Sequence, residues 1–157
     1  MSHRIKDRSC GTCSACCHTH SVLAVKTGFS EDCTHMCSGG GCAIYSDRPI
    51  ACQVYKCWWL QGILRDGSRP NEIGVVVDDW GKVGGLLIVN FWEFVPGSLK
   101  TAQVQQLITI VLNMGAVLLY MQPREKGCTP YFPASVSEED QEVIMGNLVD
   151  FINSKLG

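Results

Sequence analysis

Nine of the ten cysteines in this chain lie between Cys10 and Cys57, and only Cys128 lies beyond them. The segment that holds the nine is polar and broken by glycines, so it has too few apolar side chains to build a core of its own. Segments of this size that cannot bury enough apolar surface are usually ordered by disulfides or by metal ions. The cysteine placement therefore predicts a cross-linked module over residues 1–60.

The nine cysteines form three closely spaced groups whose spacing suits metal ligation. Thiolates two to four residues apart can converge on one ion, because a tight turn brings both sulfurs to the same side. Glycine permits such turns, at Gly11 within the first pair and at residues 39–41 before the seventh cysteine. We predict all nine as metal ligands. They are Cys10, Cys13, Cys16 and Cys17, then Cys33, Cys37 and Cys42, then Cys52 and Cys57.

The redox compartment decides between metal and disulfides. Residues 1–8 carry charge with no apolar run behind them, which is not the pattern of a secretory signal. The most apolar stretch, residues 107–121, spans about 15 residues, whereas a bilayer span needs roughly 20. We therefore expect a cytoplasmic protein with no membrane partner, in which reduced thiols bind metal. Disulfides are the alternative if the chain is exported.

Charge and motif content narrow the function classes further. The chain has a formal net charge of −2, so nucleic acid is not an expected partner. No phosphate-binding loop, nucleophile elbow or zinc-protease motif is present. A four-sulfur metal site also leaves no open position for a substrate. The sequence thus favours a protein that binds metal ions without turnover, leaves an enzyme open, and does not identify a protein partner.

The ligand type limits the metal. Soft thiolates select zinc, copper(I) or iron–sulfur clusters. The ferredoxin spacing would place a fourth cysteine at position 20, followed by proline, but the chain has His20 there. We predict about two or three zinc ions, in separate four-sulfur sites or in one cluster with bridging sulfurs. Iron or an iron–sulfur cluster, serving electron transfer or redox sensing, is the alternative.

Three stretches of this sequence match the motifs of a known family. The matching residues are Cys10-Gly11-Thr12-Cys13-Ser14-Ala15-Cys16-Cys17, Gly41-Cys42-Ala43-Ile44-Tyr45, and Arg48-Pro49-Ile50-Ala51-Cys52 with Cys57. They resemble the CxxCxxCC family, also called YkgJ-like, whose members are described as zinc- or iron-chelating domains. The likeness covers about the first 60 residues, and Gln53 stands where the family typically has arginine. The resemblance implies metal chelation.

Several residues near the cysteines have two interpretations. Adjacent Cys16 and Cys17 diverge, so they either link two neighbouring ions or leave one thiol buried. Three histidines could replace a thiolate, but with nine sulfurs available we expect them to be solvated or to contact the ligands. They are His18, His20 and His35. We expect Cys128 to be a free thiol in the core.

Other polar and aromatic side chains near the module are also open to two readings. Arg48 either neutralises thiolate charge or lies exposed in the turn before the next cysteine. Trp58 and Trp59 either shield sulfur from water or, as we expect, join the core of the supporting layer. Asp78 and Asp79 are adjacent carboxylates at a predicted hairpin turn, where we expect them to be solvated.

Residues 61–157 are predicted to form an α+β layer that supports the module. We expect strands over residues 73–78, 85–94 and 116–121, a turn over 79–82 and a loop over 122–133. One helix is predicted over residues 99–114, capped by Ser98 and stopped by Gly115, and a second after Ser137. The predicted fold class is α+β, with a cysteine-rich metal-binding N-terminal module packed on a small sheet with two helices, as one integrated domain.

Helical spacing also predicts which side chains of the two helices face the core. In the first helix they are Val104, Leu107, Ile108, Val111 and Leu112. In the second they are Val143, Ile144, Leu148, Phe151 and Ile152.

Overall fold

A four-stranded mixed sheet carries the fold in the computed structural model, which describes residues 8–28, 31–122 and 127–156. The strands are β1 (Val75–Val83), β2 (Leu86–Glu93), β3 (Val117–Gln122) and β4 (Gly127–Tyr131). The helices of the described residues are α1 (Ile50–Val54), α2 (Pro70–Ile73), α3 (Ala102–Asn113) and α4 (Glu138–Leu156). The predicted α+β class is confirmed, and two short helices accompany the two that were predicted.

The strand order is β1-β2-β3-β4. The two outer pairs are antiparallel, whereas β2 and β3 are parallel. A parallel pair needs a long crossover connection, and α3 supplies it here. The register places Phe91 at the centre of the sheet, opposite Val77 of β1 and Tyr120 of β3.

Both faces of the sheet are buried, because successive side chains of a strand point to opposite faces. One face packs against α3, and we call it the α3 face. Its buried strand residues are Val75, Val77, Val89, Phe91 and Leu118. The other packs against Leu148 of α4 and against Ala15 and Cys57, and we call it the cysteine face. Its buried strand residues are Val76, Ile88, Trp92, Val117, Leu119 and Met121.

The predicted helix faces are largely confirmed. In α3, Val104, Ile108 and Val111 are buried and the other two predicted positions pack partly buried against the same cluster. In α4, Ile144 and Leu148 are buried. The exceptions are Val143, which is 62% exposed, Phe151, which is half-buried, and Ile152, whose side chain lies outside the described residues. None of the described helices has the length and apolarity needed to cross a bilayer.

The predicted cap of the first helix was wrong by one turn. Ser98 begins a short 3-10 turn, and Thr101 is the residue whose side chain accepts a hydrogen bond from the Val104 amide (3.4 Å). Gly115 ends α3 as predicted, with a positive φ of 81°. The cap moved because residues 98–100 first form this 3-10 turn, in which Ser98 is buried close to Gly74.

Strand predictions failed where local residues conflict with long-range pairing. The predicted turn at 79–82 is part of β1, where Gly81, at a φ of 74°, lies in the register shift between Asp79 and Lys82. The chain turns instead at residues 84–85. The predicted loop 122–133 contains β4, which pairs with β3 and tolerates Pro130 because it is an edge strand. Pro123, predicted to end the third strand, lies outside the described residues.

The N-terminus of α4 allows a direct stability test. Ser137 Oγ accepts a hydrogen bond from the Asp140 amide (3.1 Å), which otherwise has no helical partner. We expect Ser137→Ala to lower the free energy of unfolding by about 1 kcal/mol, measured by urea denaturation. Ser154→Ala is the matched control, because that hydroxyl donates to the Phe151 carbonyl within the helix. An equal loss in both variants would contradict a capping role.

Candidate metal centre

Eight of the nine clustered cysteines line one cavity of about 190 Å³. They are Cys10, Cys13, Cys16, Cys17, Cys33, Cys42, Cys52 and Cys57. The ninth, Cys37, is exposed and does not line the cavity. All ten cysteines of the chain, including the half-buried Cys128 on β4, are free thiols in the structure. Cysteines from three separate stretches of sequence thus line one space.

The first pair of cysteines flanks a tight turn. The Cys13 amide donates to the Cys10 carbonyl (2.8 Å), and Gly11 adopts a φ of 54° within that turn. Arg69 donates to the same Cys10 carbonyl and lies directly against Gly11. The turn that was expected from the spacing is therefore present, and a side chain from beyond the module holds it.

The glycine run before Cys42 packs on this turn at backbone distance. A Cβ on Gly41 would lie 2.6 Å from the Gly11 carbonyl oxygen, and one on Gly40 would meet the Thr12 carbonyl oxygen still more closely. Both glycines also have positive φ, 91° and 87° in chain order. Only glycine permits this approach, which brings Cys42 to the same cavity as the first pair.

Adjacent Cys16 and Cys17 lie in a 3-10 turn, Ala15–His18, and both sulfurs line the cavity. The Cys33 amide donates to the Cys17 carbonyl (3.0 Å), which ties the second group of cysteines to the first. Neither member of the adjacent pair is turned away into the core. Both residues therefore line the cavity, and Cys16 is the more deeply buried of the two.

A hydrogen bond between the thiols of Cys16 and Cys17 shifts their pKa values in opposite directions. The hydrogen bond with Cys17, together with burial, raises the pKa of the Cys16 thiol well above its usual value. The same hydrogen bond lowers the pKa of Cys17 to about 7, since Cys16 donates to its sulfur. Burial raises the pKa values of Cys52 and Cys57. Of these four thiols, Cys17 is the only one whose pKa is lowered.

The third group of cysteines enters from α1. Cys52 lies on this short helix, and Cys57 follows it, 6% exposed and packed on the cysteine face. Arg48 precedes α1 and lines the cavity, with its guanidinium 3.9 Å from the centre of the Tyr45 ring. The Tyr45 hydroxyl hydrogen-bonds to Cys10, although burial still raises the pKa of that thiol. Arg48 thus lies at the cavity wall and not in an exposed turn.

Two arginines fasten the module to the chain that follows it. Arg8 donates to the carbonyl oxygens of Trp59 (2.6 Å) and Leu64 (2.7 Å), and its guanidinium lies 4.6 Å from the Trp59 ring centre. Arg69 stacks on the same ring at 5.2 Å. Trp58 joins the core as expected, at 4% exposure, whereas Trp59 lines the cavity.

The prediction that Asp78 and Asp79 are solvated was wrong for the first and inaccurate for the second. Asp78 is 4% exposed and accepts four hydrogen bonds, two of them from the cysteine module. Burial raises the pKa of its carboxyl, but hydrogen bonds and the charge of His20 outweigh it and lower the pKa overall. Asp79 is half-buried and accepts from Trp58 Nε1 (2.8 Å). Both lie within β1 because the turn is further along.

The three histidines have different surroundings. His18 Nδ1 pairs with Asp32 (2.7 Å), and its ring stacks on Phe94. His20 has both ring nitrogens within hydrogen-bond distance of other groups, Thr19 Oγ1 (2.6 Å) and Asp78 Oδ2 (3.0 Å). His35 lines the cavity among the thiols. We expected the histidines to be solvated or to contact the ligand cysteines. Contact with these cysteines describes His20 and His35 better than His18.

The described residues contain no group of three or more His, Cys, Asp or Glu side chains arranged to hold a metal ion. The eight thiols therefore share a cavity without standing at coordination distance from a common centre. Thiols that line one cavity are suitable donors for a thiolate-bound metal. The cavity is also far larger than the space that one water molecule needs, about 10–15 Å³. The residues that line the site fit such a metal by their chemistry.

Comparison with protein-family models, with curated proteins and with solved structures finds no match to this chain. The site is therefore interpreted from its own residues. Sequence reasoning grouped these eight cysteines with Cys37 as candidate ligands, and it missed the contacts that Arg8, Asp78 and Arg69 make to the module. One indication was available in the sequence for Asp78, which directly follows three valines. A carboxylate in a buried strand is normally paired, so this position could have suggested a buried, hydrogen-bonded aspartate.

Proposed function

We propose that this protein binds metal through the thiolates of the eight cysteines that line its cavity. The observation that carries the proposal is that eight cysteines, drawn from three stretches of chain, line one cavity. Soft sulfur donors favour zinc or iron–sulfur clusters over hard cations. About two or three zinc ions in one cluster with bridging thiolates is the arrangement we favour, because the sulfurs share one cavity.

Burial supports a structural contribution from the metal. Among the described residues before Trp58, only Ala15 and Cys57 are buried apolar side chains. A segment so poor in core residues gains little from apolar burial, and metal binding would supply its folding free energy. Because the thiols do not yet stand at coordination distance, loading would draw the three cysteine groups toward one another.

The resemblance to the CxxCxxCC family points to the same function. Its motif residues place Cys10, Cys13, Cys16, Cys17, Cys42, Cys52 and Cys57 in the ligand set, and all seven line the cavity. A reduced, intracellular setting would keep these thiols available to metal. Holding, delivering or sensing the metal without turnover fits a sulfur-rich site better than catalysis does.

Elemental analysis of protein purified without oxygen tests the proposal. We expect a colourless preparation with about two or three zinc ions per chain, because thiolates saturate zinc in closed sites. A Cys17→Ser variant should lose metal, while Cys128→Ser, outside the cavity, should keep the wild-type content. A brown preparation with acid-labile sulfide would replace zinc with an iron–sulfur cluster. Metal-free protein with paired cysteines would refute metal binding.

The exposed Cys37 needs its own variant. The spacing predicts it as a ligand, but its sulfur does not line the cavity. Cys37→Ser should leave the metal content unchanged if eight thiols suffice. A loss equal to that of Cys17→Ser would restore it to the ligand set.

A further inference from the structure

Asp78 joins the cysteine module to the sheet through its two carboxylate oxygens. Oδ2 accepts from Tyr55 Oη (2.7 Å) and His20 Nε2 (3.0 Å), both in the module. Oδ1 accepts from Asn90 Nδ2 and Trp92 Nε1 (both 2.9 Å), which lie on β2. One oxygen faces the module and the other faces the sheet, so all four acceptor positions of the carboxylate are used.

His20 and Tyr55, the two module residues that contact Asp78, lie close in the chain to cysteines of the cavity. The His20 amide donates to the Cys16 carbonyl (3.0 Å), and its ring contacts Thr19, which is fully buried at the end of the same turn. Tyr55 lies between Cys52 and Cys57 and caps α1 through the Ala51 carbonyl (3.2 Å). Asp78 Oδ2 is thus the point at which two separate cysteine-bearing segments meet.

Stability alone does not account for this group. A buried carboxylate is costly to desolvate even when paired, and apolar residues of similar size commonly stabilise a fold as well or better. Asn90 adds a second cost, because its Oδ1 is buried with no hydrogen-bond partner among the described residues. A buried polar pair of this kind, with Asp78 on β1 opposite Asn90 on β2, points to a role in setting position.

We propose that Asp78 is a positioning residue that sets the distance between Cys16–Cys17 and Cys52–Cys57 across the metal cavity. It anchors the first pair through His20 and the second through Tyr55. The inference rests on the proposed metal binding for its consequence. The anchoring itself concerns thiols and hydrogen bonds of this chain and can be measured separately.

The first experiment compares two neighbouring carboxylates in the full-length protein. Asp78→Asn keeps the shape but replaces an acceptor oxygen with a donor, so we expect zinc to bind at least about tenfold more weakly in competition with a chromogenic chelator. Asp79→Asn is the matched control, because Asp79 contacts Trp58 on the α3 face. Equal weakening in both variants, or none in Asp78→Asn, would overturn the proposal.

A second experiment separates positioning from general destabilisation. Tyr55→Phe and His20→Phe each keep an aromatic ring and delete one hydrogen bond to Asp78, so they remain informative if Asp78→Asn does not fold. Alkylation of the protein as isolated, resolved by mass spectrometry, should speed up severalfold at Cys52 and Cys57 in Tyr55→Phe. It should speed up at Cys16 and Cys17 in His20→Phe.

The alkylation pattern also distinguishes failure of this inference from failure of metal binding. A uniform change at every cysteine, or no change, would refute anchoring whether or not the protein holds metal. If the wild-type protein contains no metal but the segment-specific pattern appears, the anchor stands and the proposed function falls. Segment-specific alkylation with unchanged zinc affinity would refute the role of Asp78 in positioning metal ligands.

Discussion

Removal of the proposed metal by a chelator is expected to unfold the described part of the cysteine module while the sheet remains folded. The module contributes almost no apolar core, whereas β1, β2, β3 and α3 are packed on fully buried side chains. Structural zinc binds zinc-finger peptides with a free energy of about 10–16 kcal/mol. Because the unfolded chain has no preformed site, this binding free energy stabilises the fold. Hydrogen exchange should show amide protection lost over residues 8–57 and kept over 75–122.

The matched control for this experiment is the Cys128→Ser variant, which lacks a thiol outside the cavity. It should show the same pattern as wild type, with and without chelator. Readdition of zinc should restore protection to the module. Equal protection of both regions in the metal-free protein would show that apolar packing and hydrogen bonds suffice to hold the module, and metal would then have no structural role.

Gly41→Ala is expected to distort the cavity through a single added methyl group. The new Cβ would meet the Gly11 carbonyl oxygen at 2.6 Å, and the φ of +87° is strained for alanine. The strained backbone alone costs about 1–3 kcal/mol, and relief of the clash would push Cys42 away from the first pair of cysteines. We expect a lower melting temperature and at least about tenfold weaker zinc retention against a chelator.

The adjacent glycine supplies the control for this substitution. A Cβ on Gly39 meets nothing within 4 Å, so Gly39→Ala should change both quantities little. Gly40→Ala should behave like Gly41→Ala, because its Cβ would meet the Thr12 carbonyl oxygen. If all three alanine variants retained zinc equally, close packing of the glycine run on the first turn would have no part in forming the cavity.

Elements with strong local periodicity could be predicted, and those made by pairing could not. The apolar spacing of residues 104–112 identified α3 and its buried face. β-branched residues identified β1, and β2 and β3 were also predicted as strands. β4 was missed, since its residues Gly127–Tyr131 have no strand-like pattern and become a strand by hydrogen-bonding to β3. The turn misplaced at 79–82 has the same cause, because pairing with β2 carries β1 past Gly81.

In the candidate site too, features set by local sequence could be predicted and features set by long-range contacts could not. Thiol chemistry and short spacings were sufficient to nominate candidate donors, because a tight turn can bring two sulfurs a few residues apart to the same side. The exposure of Cys37 could not be anticipated, since its spacing resembles that of its neighbours. The supporting contacts of Asp78 and Arg69 could not be predicted either, because each joins residues far apart in the sequence. Asp78 contacts His20, 58 positions earlier, and Arg69 contacts Cys10, 59 positions earlier.

Covalent spacing and side-chain chemistry, both local properties, were enough to establish a sulfur-rich module followed by an α+β layer. Long-range packing settled which eight sulfurs face one cavity, which carboxylate joins the module to the sheet, and which face of the sheet receives it. The physical reason is that burial and hydrogen-bond pairing depend on neighbours in space. The polarity of Asp78 predicted exposure, but donors from His20, Tyr55, Asn90 and Trp92 allow it to be buried.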